Sequence, residues 1–309
     1  MRILVTGSSG FIGRPIIERL ASGGHEIVRA LRNTASSGPG EVVHIPGIDG
    51  TTDWSQALPG CGAVVHLAAQ LPARGVPVDA FTETNELGTA RLVEQALAAD
   101  VRTFIYLSSI GAVTGHASAK PVDDSLSTVG PSAYGRSKRK AEAHVARFAA
   151  DGRFGISLRP PILYGADAKG NWSLMVKLAA SGLPLPFASV RNRRHLMAAD
   201  NLVDAVCHLL SIAPAPQASG AYAIADREAL GLADILGLIR AELGQPPRLW
   251  PVPPAMLASG LRMLGRGFMA ESLFGDLEID SSRFCETFNW QPPVPAAEAM
   301  RRAVAGLMK

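Results

Sequence analysis

An α/β fold, a doubly wound and mostly parallel sheet with a smaller mixed C-terminal lobe, is predicted by three observations. Apolar, β-branched runs alternate with amphipathic stretches through the first half of the chain. A glycine-rich turn, Thr6-Gly7-Ser8-Ser9-Gly10-Phe11-Ile12-Gly13, joins the first such run to the first helix. After Tyr164-Gly165 the alternation gives way to irregular, proline-rich sequence, notably Leu183-Pro-Leu-Pro186 and Trp250-Pro-Val-Pro-Pro254. Residues 1–165 are therefore assigned to the sheet domain and 166–309 to the lobe, with segments near 195–225 returning to the first domain. A chain of 309 residues is long enough for both.

The elements follow in order. Arg2-Ile-Leu-Val-Thr6 reads as a buried strand. Phe11 to Ala21 places apolar residues at helical spacing, and Gly23-Gly24 stops the helix. Between them, Gly7 permits a tight turn, Gly10 lets backbone approach a pyrophosphate, and Gly13 lets the helix lie close on the sheet. The helix start adds free N–H groups and the positive end of its dipole. A second strand, His25 to Arg32, follows, as a Rossmann-type dinucleotide fingerprint requires. The spacing Gly-x-x-Gly-x-x-Gly departs from the commoner Gly-x-Gly-x-x-Gly, so the turn alone also fits a plain strand-turn-helix corner. Val42–Ile45, Ala63–Ala68, Thr103–Leu107 and Ile156–Arg159 read as further strands, and residues 80–99 and 137–149 as helices. Ala221–Ala225 reads as a strand rejoining the first sheet.

The end of the second strand bears on the cofactor. An NAD site usually has an acid there for the ribose 2′-hydroxyl. Leu31 holds that position, flanked by Arg29 and Arg32, and guanidinium groups suit a 2′-phosphate. NADP(H) is expected on this ground. NAD(H) is the alternative, with the arginines as solvated strand-end charges.

Composition narrows the remaining classes. The chain is 47% hydrophobic and 18% charged, an ordinary globular balance. A net charge of +3 argues for neither nucleic acid nor a membrane surface. Cys61, Cys207 and Cys285 are widely spaced and lack metal-ligand spacing, so reduced thiols in a cytoplasm and no metal site are expected. No signal peptide and no bilayer-spanning apolar run are read from the sequence.

The chemistry lies in Tyr134-Gly135-Arg136-Ser137-Lys138. On a helix, Tyr134 and Lys138 are four residues apart and share a face. A lysine ammonium near a phenol favours the phenolate, so Tyr134 is expected to have a lowered pKa and to exchange a proton near neutral pH. Ser108-Ser109 ends a strand at the edge where open α/β sheets bind ligands, and a hydroxyl there can orient a reacting oxygen. Taken singly, Tyr134 also reads as a helix-start residue and the serines as a turn pair.

Together these residues resemble the extended short-chain dehydrogenase/reductase superfamily, in its NAD(P)-dependent nucleotide-sugar epimerase/dehydratase branch of 4-epimerases and 4-ketoreductases. The resemblance also covers His66-Leu-Ala-Ala69, Asn85 in Thr84-Asn-Glu-Leu-Gly-Thr89, and Arg159-Pro-Pro-Ile-Leu-Tyr-Gly165. It continues through Lys169-Gly-Asn171, Arg191-Asn-Arg-Arg-His195 with Asp200–Asp204, Leu277–Ser282 and Asn289–Pro293. It implies that Gly7, Ser9, Gly10, Phe11, Ile12 and Gly13 hold the pyrophosphate turn. Leu67, Ala68, Ala69, Asn85 and Pro161 would line the cofactor, Tyr134 would be the acid/base, and Lys138 would bind the nicotinamide ribose. The catalytic hydroxyl falls on Ser109 when matched from the double serine; counting back from Gly115 puts it at Ile110, which cannot serve. Asn171, Arg193 and Arg194 look like nucleotide-diphosphate ligands, although Arg191–Arg194 also reads as a solvated basic loop.

Two departures matter. Sugar 4,6-dehydratases need an Asp-Glu pair after the catalytic hydroxyl, and Ile110-Gly111 stands there instead, which argues against dehydration. The missing acid at Leu31 separates an epimerase, which keeps NAD, from a ketoreductase, which consumes NADPH. The expectation is hydride transfer at the 4-position of a nucleotide-linked sugar of the UDP-linked kind, with the ketoreductase slightly favoured over the epimerase by Arg29 and Arg32. A non-nucleotide ketone reductase and a silent dinucleotide-binding redox sensor are the other readings. A homodimer through residues 86–98 and 139–148 is also compatible, as is a role for both helices in simply covering the sheet.

Overall fold

The computed structural model describes residues 1–32, 36–168 and 170–307, without the side chains of Asp151 and Asn171. The first domain begins with β1 (Arg2–Thr6), α1 (Gly13–Ser22), β2 (Glu26–Leu31), β3 (Glu41–His44) and β4 (Cys61–His66). It continues through α2 (Val78–Phe81), α3 (Gly88–Ala98), β5 (Thr103–Leu107), α4 (Ala133–Phe148) and β6 (Phe154–Arg159). A π-helical turn over Thr82–Leu87 joins α2 to α3. Then come β7 (Leu163–Tyr164), α5 (Asn171–Ala180), β8 (Met197–Ala198), α6 (Ala199–Ile212) and β9 (Gly220–Ala223). The chain closes with α7 (Leu232–Glu242), α8 (Pro254–Met263), α9 (Gly267–Phe274), α10 (Ser282–Phe288) and α11 (Ala296–Leu307).

Seven parallel strands form the main sheet in the order β3-β2-β1-β4-β5-β6-β9. Such a sheet must be covered on both faces. Ile3 and Val5 point to one face, where α1, α6 and α10 bring Ile16, Leu202 and Phe284. Leu4 and Val64 point to the other, under Leu92 of α3 and Val145 of α4. Strand order reverses between β1 and β4, and the crevice beyond their carboxyl ends is where this topology receives a ligand.

Two boundaries depart from the periodicity. Helix α4 begins at Ala133 rather than at 137, because the Ser132 hydroxyl caps it by accepting from Gly135 N at 2.9 Å. Tyr134 therefore sits in the first helical turn. The helix read as 80–99 is interrupted by the π turn, which hydrophobic spacing cannot reveal.

The smaller lobe has its own core, in which Trp172 of α5, Leu236 of α7 and Met300 of α11 meet. After Ala198 the chain returns to the first domain, since α6 covers the sheet and β9 pairs with β6. Buried Asp226 fastens this crossing: it accepts from Tyr164 Oη at 2.8 Å, Asn201 Nδ2 at 2.7 Å and the Ala198 amide at 3.1 Å.

Candidate active site

The turn after β1 is built by close approach. Gly7 adopts φ +70°, and a Cβ there would lie 2.8 Å from the Ala68 amide nitrogen. A Cβ on Gly13 would stand 2.1 Å from the Gly7 carbonyl oxygen, so only glycine lets α1 start this close to the turn. Gly10 donates its N–H to Gly7 O at 2.9 Å, and Ser9 and Gly10 are exposed. Ile12 is buried in the core and precedes α1, whose first turn has no side-chain cap. Arg14 N donates to Gly10 O at 3.1 Å and Pro15 has no N–H, so it is the uncapped start of α1 just before them that faces an outside acceptor, and the turn fits a dinucleotide pyrophosphate. Phe11 reaches across to Gly165, where a Cβ would meet its ring at 2.8 Å.

The two arginines of the second strand separate. Arg29 is buried within β2 and donates Nη1 to Ser36 O at 3.0 Å, fastening the loop that follows. It does not stand at the strand end beside Leu31 as the sequence suggests, because it lies two residues inside the strand. Arg32 is exposed at that end, and Leu31 is buried.

A proton-ordered chain fixes the loop after β4. Thr89 Oγ1 donates to the Asn85 carbonyl at 2.7 Å, so it accepts from His66 Nε2 at 2.9 Å. Thr6 Oγ1 accepts from the Ala68 amide at 3.3 Å and lies 2.6 Å from His66 Nδ1. His66 is therefore the Nε2–H tautomer, receiving the Thr6 proton on Nδ1. Burial, with Lys138 second, drives its pKa down to about 3 and keeps it neutral. Leu67, Ala68 and Ala69 follow directly and are half-buried against the glycine turn. The side chain of Asn85 is also buried: it accepts from Gln70 N at 2.7 Å and donates to Gln70 O at 3.1 Å and Ser137 Oγ at 3.0 Å. Its carboxamide thus holds the loop that would line a cofactor, and Ser137 in turn donates to the Tyr134 carbonyl at 2.8 Å.

Ser108 and Ser109 diverge at the end of β5. Ser108 points inward, donating to Glu142 Oε1 at 2.6 Å, where Glu142 is clamped by Arg159 through contacts of 2.8 and 2.7 Å. Ser109 caps the turn that follows, accepting from Gly111 N at 3.1 Å, and its hydroxyl lies near enough to Tyr134 to favour the phenolate. Ile110 is buried in an apolar cluster. Of the two positions the family match leaves open, Ser109 alone presents a hydroxyl to Tyr134. The Gly111 carbonyl wedges between Gly130 and Gly135; a Cβ on either would come within 1.8 or 1.9 Å of it. These glycines bring the start of α4 onto the Ser109 turn.

The expected lowering of the Tyr134 pKa is not what the structure gives. Burial pushes it up to about 12, and the nearby Ser109 hydroxyl only partly opposes this. Lys138 explains the failure. Its Nζ donates to Leu107 O at 2.7 Å and lies 4.6 Å over the Tyr106 ring, but 6.0 Å from the Tyr134 ring centre. Burial also pulls the Lys138 ammonium down to about 7, with Glu142 acting against that shift. Pro161 is buried, one residue past Pro160, whose carbonyl accepts from Ile110 N at 2.9 Å and so ties β6's end to the turn after Ser109.

The arginines of the lobe are engaged by the protein itself. Arg193 is exposed and pairs with Glu278 at 3.0 Å. Arg194 is buried and donates to Gly275 O at 2.7 Å and His116 O at 2.9 Å; burial lowers its pKa to about 10. Lys169 and the Asn171 side chain lie outside the described residues, so the structure brings no contact of theirs to the site. No group of metal-ligating side chains occurs among the described residues.

Residues 3–225 match the model of the NAD dependent epimerase/dehydratase family. The chain belongs to that family. This epimerase/dehydratase family member is accordingly an enzyme that uses a nicotinamide dinucleotide. It is similar to the UDP-glucose 4-epimerase of Vibrio cholerae, with 29% identity over 99% of this chain and 95% of that one. It is also similar to a 3-diazoavenalumate denitrifying reductase of a Streptomyces species, with 30% identity over 96% of this chain and 97% of that one. The solved structure of the Bacillus cereus UDP-glucuronic acid 4-epimerase with NAD has a TM-score of 0.78 and 18% identity, covering 100% of this chain and 99% of that one, and shares the fold.

Two outcomes follow from this geometry. Tyr134→Phe removes the proton carrier while keeping the ring, and kcat should fall by about 10²- to 10⁴-fold with thermal stability nearly unchanged. For Lys138, the folded pKa near 7 lies below the ordinary 10.5, so between those values the unfolded chain holds a proton that the folded chain has shed. The wild type should gain stability relative to Lys138→Met as pH rises from about 7 towards 10, measured by urea denaturation at each pH.

Proposed function

We propose that this enzyme epimerises a nucleotide-linked sugar, of the UDP-hexose class, at its 4-position. The observation that carries the reading is the convergence of Ser109, Tyr134 and Lys138 at the carboxyl edge of the sheet that also carries the glycine turn. The Vibrio cholerae relative adds support for the sugar class.

A bound nicotinamide supplies the acceptance and return of hydride at the 4-carbon. Tyr134 takes the proton of the 4-hydroxyl in the oxidising half and gives one back in the reducing half. Burial holds Tyr134 as a phenol, the form that donates. The oxidising half needs the phenolate, which positive charge favours; for Lys138 to supply it, its ammonium must be protonated and turn from the Leu107 carbonyl towards Tyr134. Ser109 donates to the reacting oxygen. The turn at Gly7, Gly10 and Gly13 and the backbone at Leu67–Ala69 hold the dinucleotide, while Arg193, Arg194 and Asn171 are the lobe residues proposed for the diphosphate. For Arg194 this requires exchange of its present carbonyl partners. The fold is proposed to work as a cytoplasmic enzyme, paired through the outer faces of α3 and α4.

A 4-ketoreductase using NADPH is the second reading. Leu31 in place of an acid, and Arg32 exposed at the same strand end, favour it. The commitment of Arg29 to Ser36 removes half of its original basis.

Purified protein incubated with UDP-glucose and with UDP-N-acetylglucosamine decides between them. The epimerase reading expects the 4-epimer to accumulate with no net change in absorbance at the NADH wavelength. Stoichiometric NADPH consumption with a UDP-4-ketosugar, and no epimer, would replace it with the ketoreductase. Cofactor binding with neither reaction would point to a redox sensor.

A further inference from the structure

The second lobe carries a feature that the reaction at Tyr134 does not use. Helices α8 and α9 form a hairpin in which each makes its principal contact with the other. The hairpin is rooted by Leu273 and Phe274, which pack on the lobe core, and by the buried Ala258 and Ala270. Its outer end is apolar and open. Met263 is 88% exposed, Leu264 73% and Phe268 58%. Gly265, at φ +71°, makes the turn that sets these residues around one tip. Met256, seven residues before Met263, lies on the same helical face and is 66% exposed. Trp250, at the base of the hairpin, is also exposed. Large apolar side chains concentrated this way on an outlying element mark an interaction surface rather than a core.

The charge pattern selects the partner. Between Glu242 and Glu271 the chain has no acid, but it has Arg248, Arg262 and Arg266. Arg262 and Arg266 flank the apolar tip and are exposed. The overall charge of +3 conceals this local bias. Apolar side chains at a helical tip, bordered by arginines and with a tryptophan at the base, fit the boundary between lipid headgroups and acyl chains. The hairpin would lie at that boundary and not cross it, since among the described residues no helix is long and apolar enough to span a membrane.

We infer that the α8–α9 hairpin docks this enzyme on an anionic lipid bilayer surface, with the Met263–Phe268 tip at the interface and Arg262 and Arg266 on headgroup phosphates. The docked face adjoins the proposed site. Phe268 packs edge-on against His116 at 4.1 Å between ring centres, in the loop that follows the Ser109 turn. Docking would therefore hold the enzyme with one wall of its substrate entrance near the membrane.

Vesicle flotation of the full-length protein tests this. Vesicles of phosphatidylcholine alone are compared with vesicles of phosphatidylcholine and phosphatidylglycerol in about equal parts. The wild type is expected to float with the anionic vesicles and not with the neutral ones. Met263→Ser with Leu264→Ser, at exposed positions, should reduce flotation at least tenfold. Arg262→Gln and Arg266→Gln should each reduce it about fivefold. Absence of flotation with the anionic vesicles overturns the proposal, as does flotation unchanged in the variants. Sedimentation without vesicles guards against another occupant: a wild-type dimer that the double serine variant converts to monomer would assign the tip to a contact between copies of this chain, and would overturn the proposal too.

Discussion

His66 is the group on which the site depends. A fully buried imidazole needs one donor and one acceptor in fixed directions, because leaving either unmet costs about 1–3 kcal/mol. Thr6 and Thr89 meet both needs. In doing so they tie the end of β1, the end of β4 and the start of α3 together at the point where strand order reverses. The backbone of Ala68 is drawn into the same chain and is thereby held against Gly7. The floor of the dinucleotide cradle is a consequence of satisfying one neutral ring.

From that anchor, order passes to the catalytic residues through short polar steps. The π turn places the Asn85 carbonyl on Thr89 and its carboxamide on Gln70 and Ser137 at once. Ser137 then reaches the backbone of Tyr134. On the opposite side, the buried Arg159–Glu142 pair holds Ser108, so the next residue, Ser109, faces outward to Tyr134. Such a pair contributes little net stability once its desolvation is counted, but removing either member would strand a buried charge. Its service here is orientation.

Much of this was legible from sequence. The glycines at 7, 10 and 13 and the pair Tyr134–Lys138 lie within short spans, so their spacing could be read, though only the two together pointed to a site. The alternation of strands and helices gave the sheet because each element carries its own periodicity. What escaped has long-range causes. The partners of His66 lie 60 and 23 residues away. Gly130 and Gly135 matter only because Gly111 is folded between them. The burial of Arg29 depends on where the loop at Ser36 turns back. The pKa of Tyr134 followed burial rather than its sequence neighbour, since Lys138 is aimed at Leu107 O. The exposed hairpin escaped because a total charge of +3 averages over its arginines.

The most direct test of this account is the state of the His66 ring, read by ¹⁵N NMR of the imidazole nitrogens between pH 4.5 and 8 and assigned by comparison with His66→Gln. The account predicts a neutral ring throughout, with the proton on Nε2 and no titration in that range, because the pKa lies near 3. A ring that titrates near the ordinary histidine value of about 6.5, or that carries its proton on Nδ1, would contradict it.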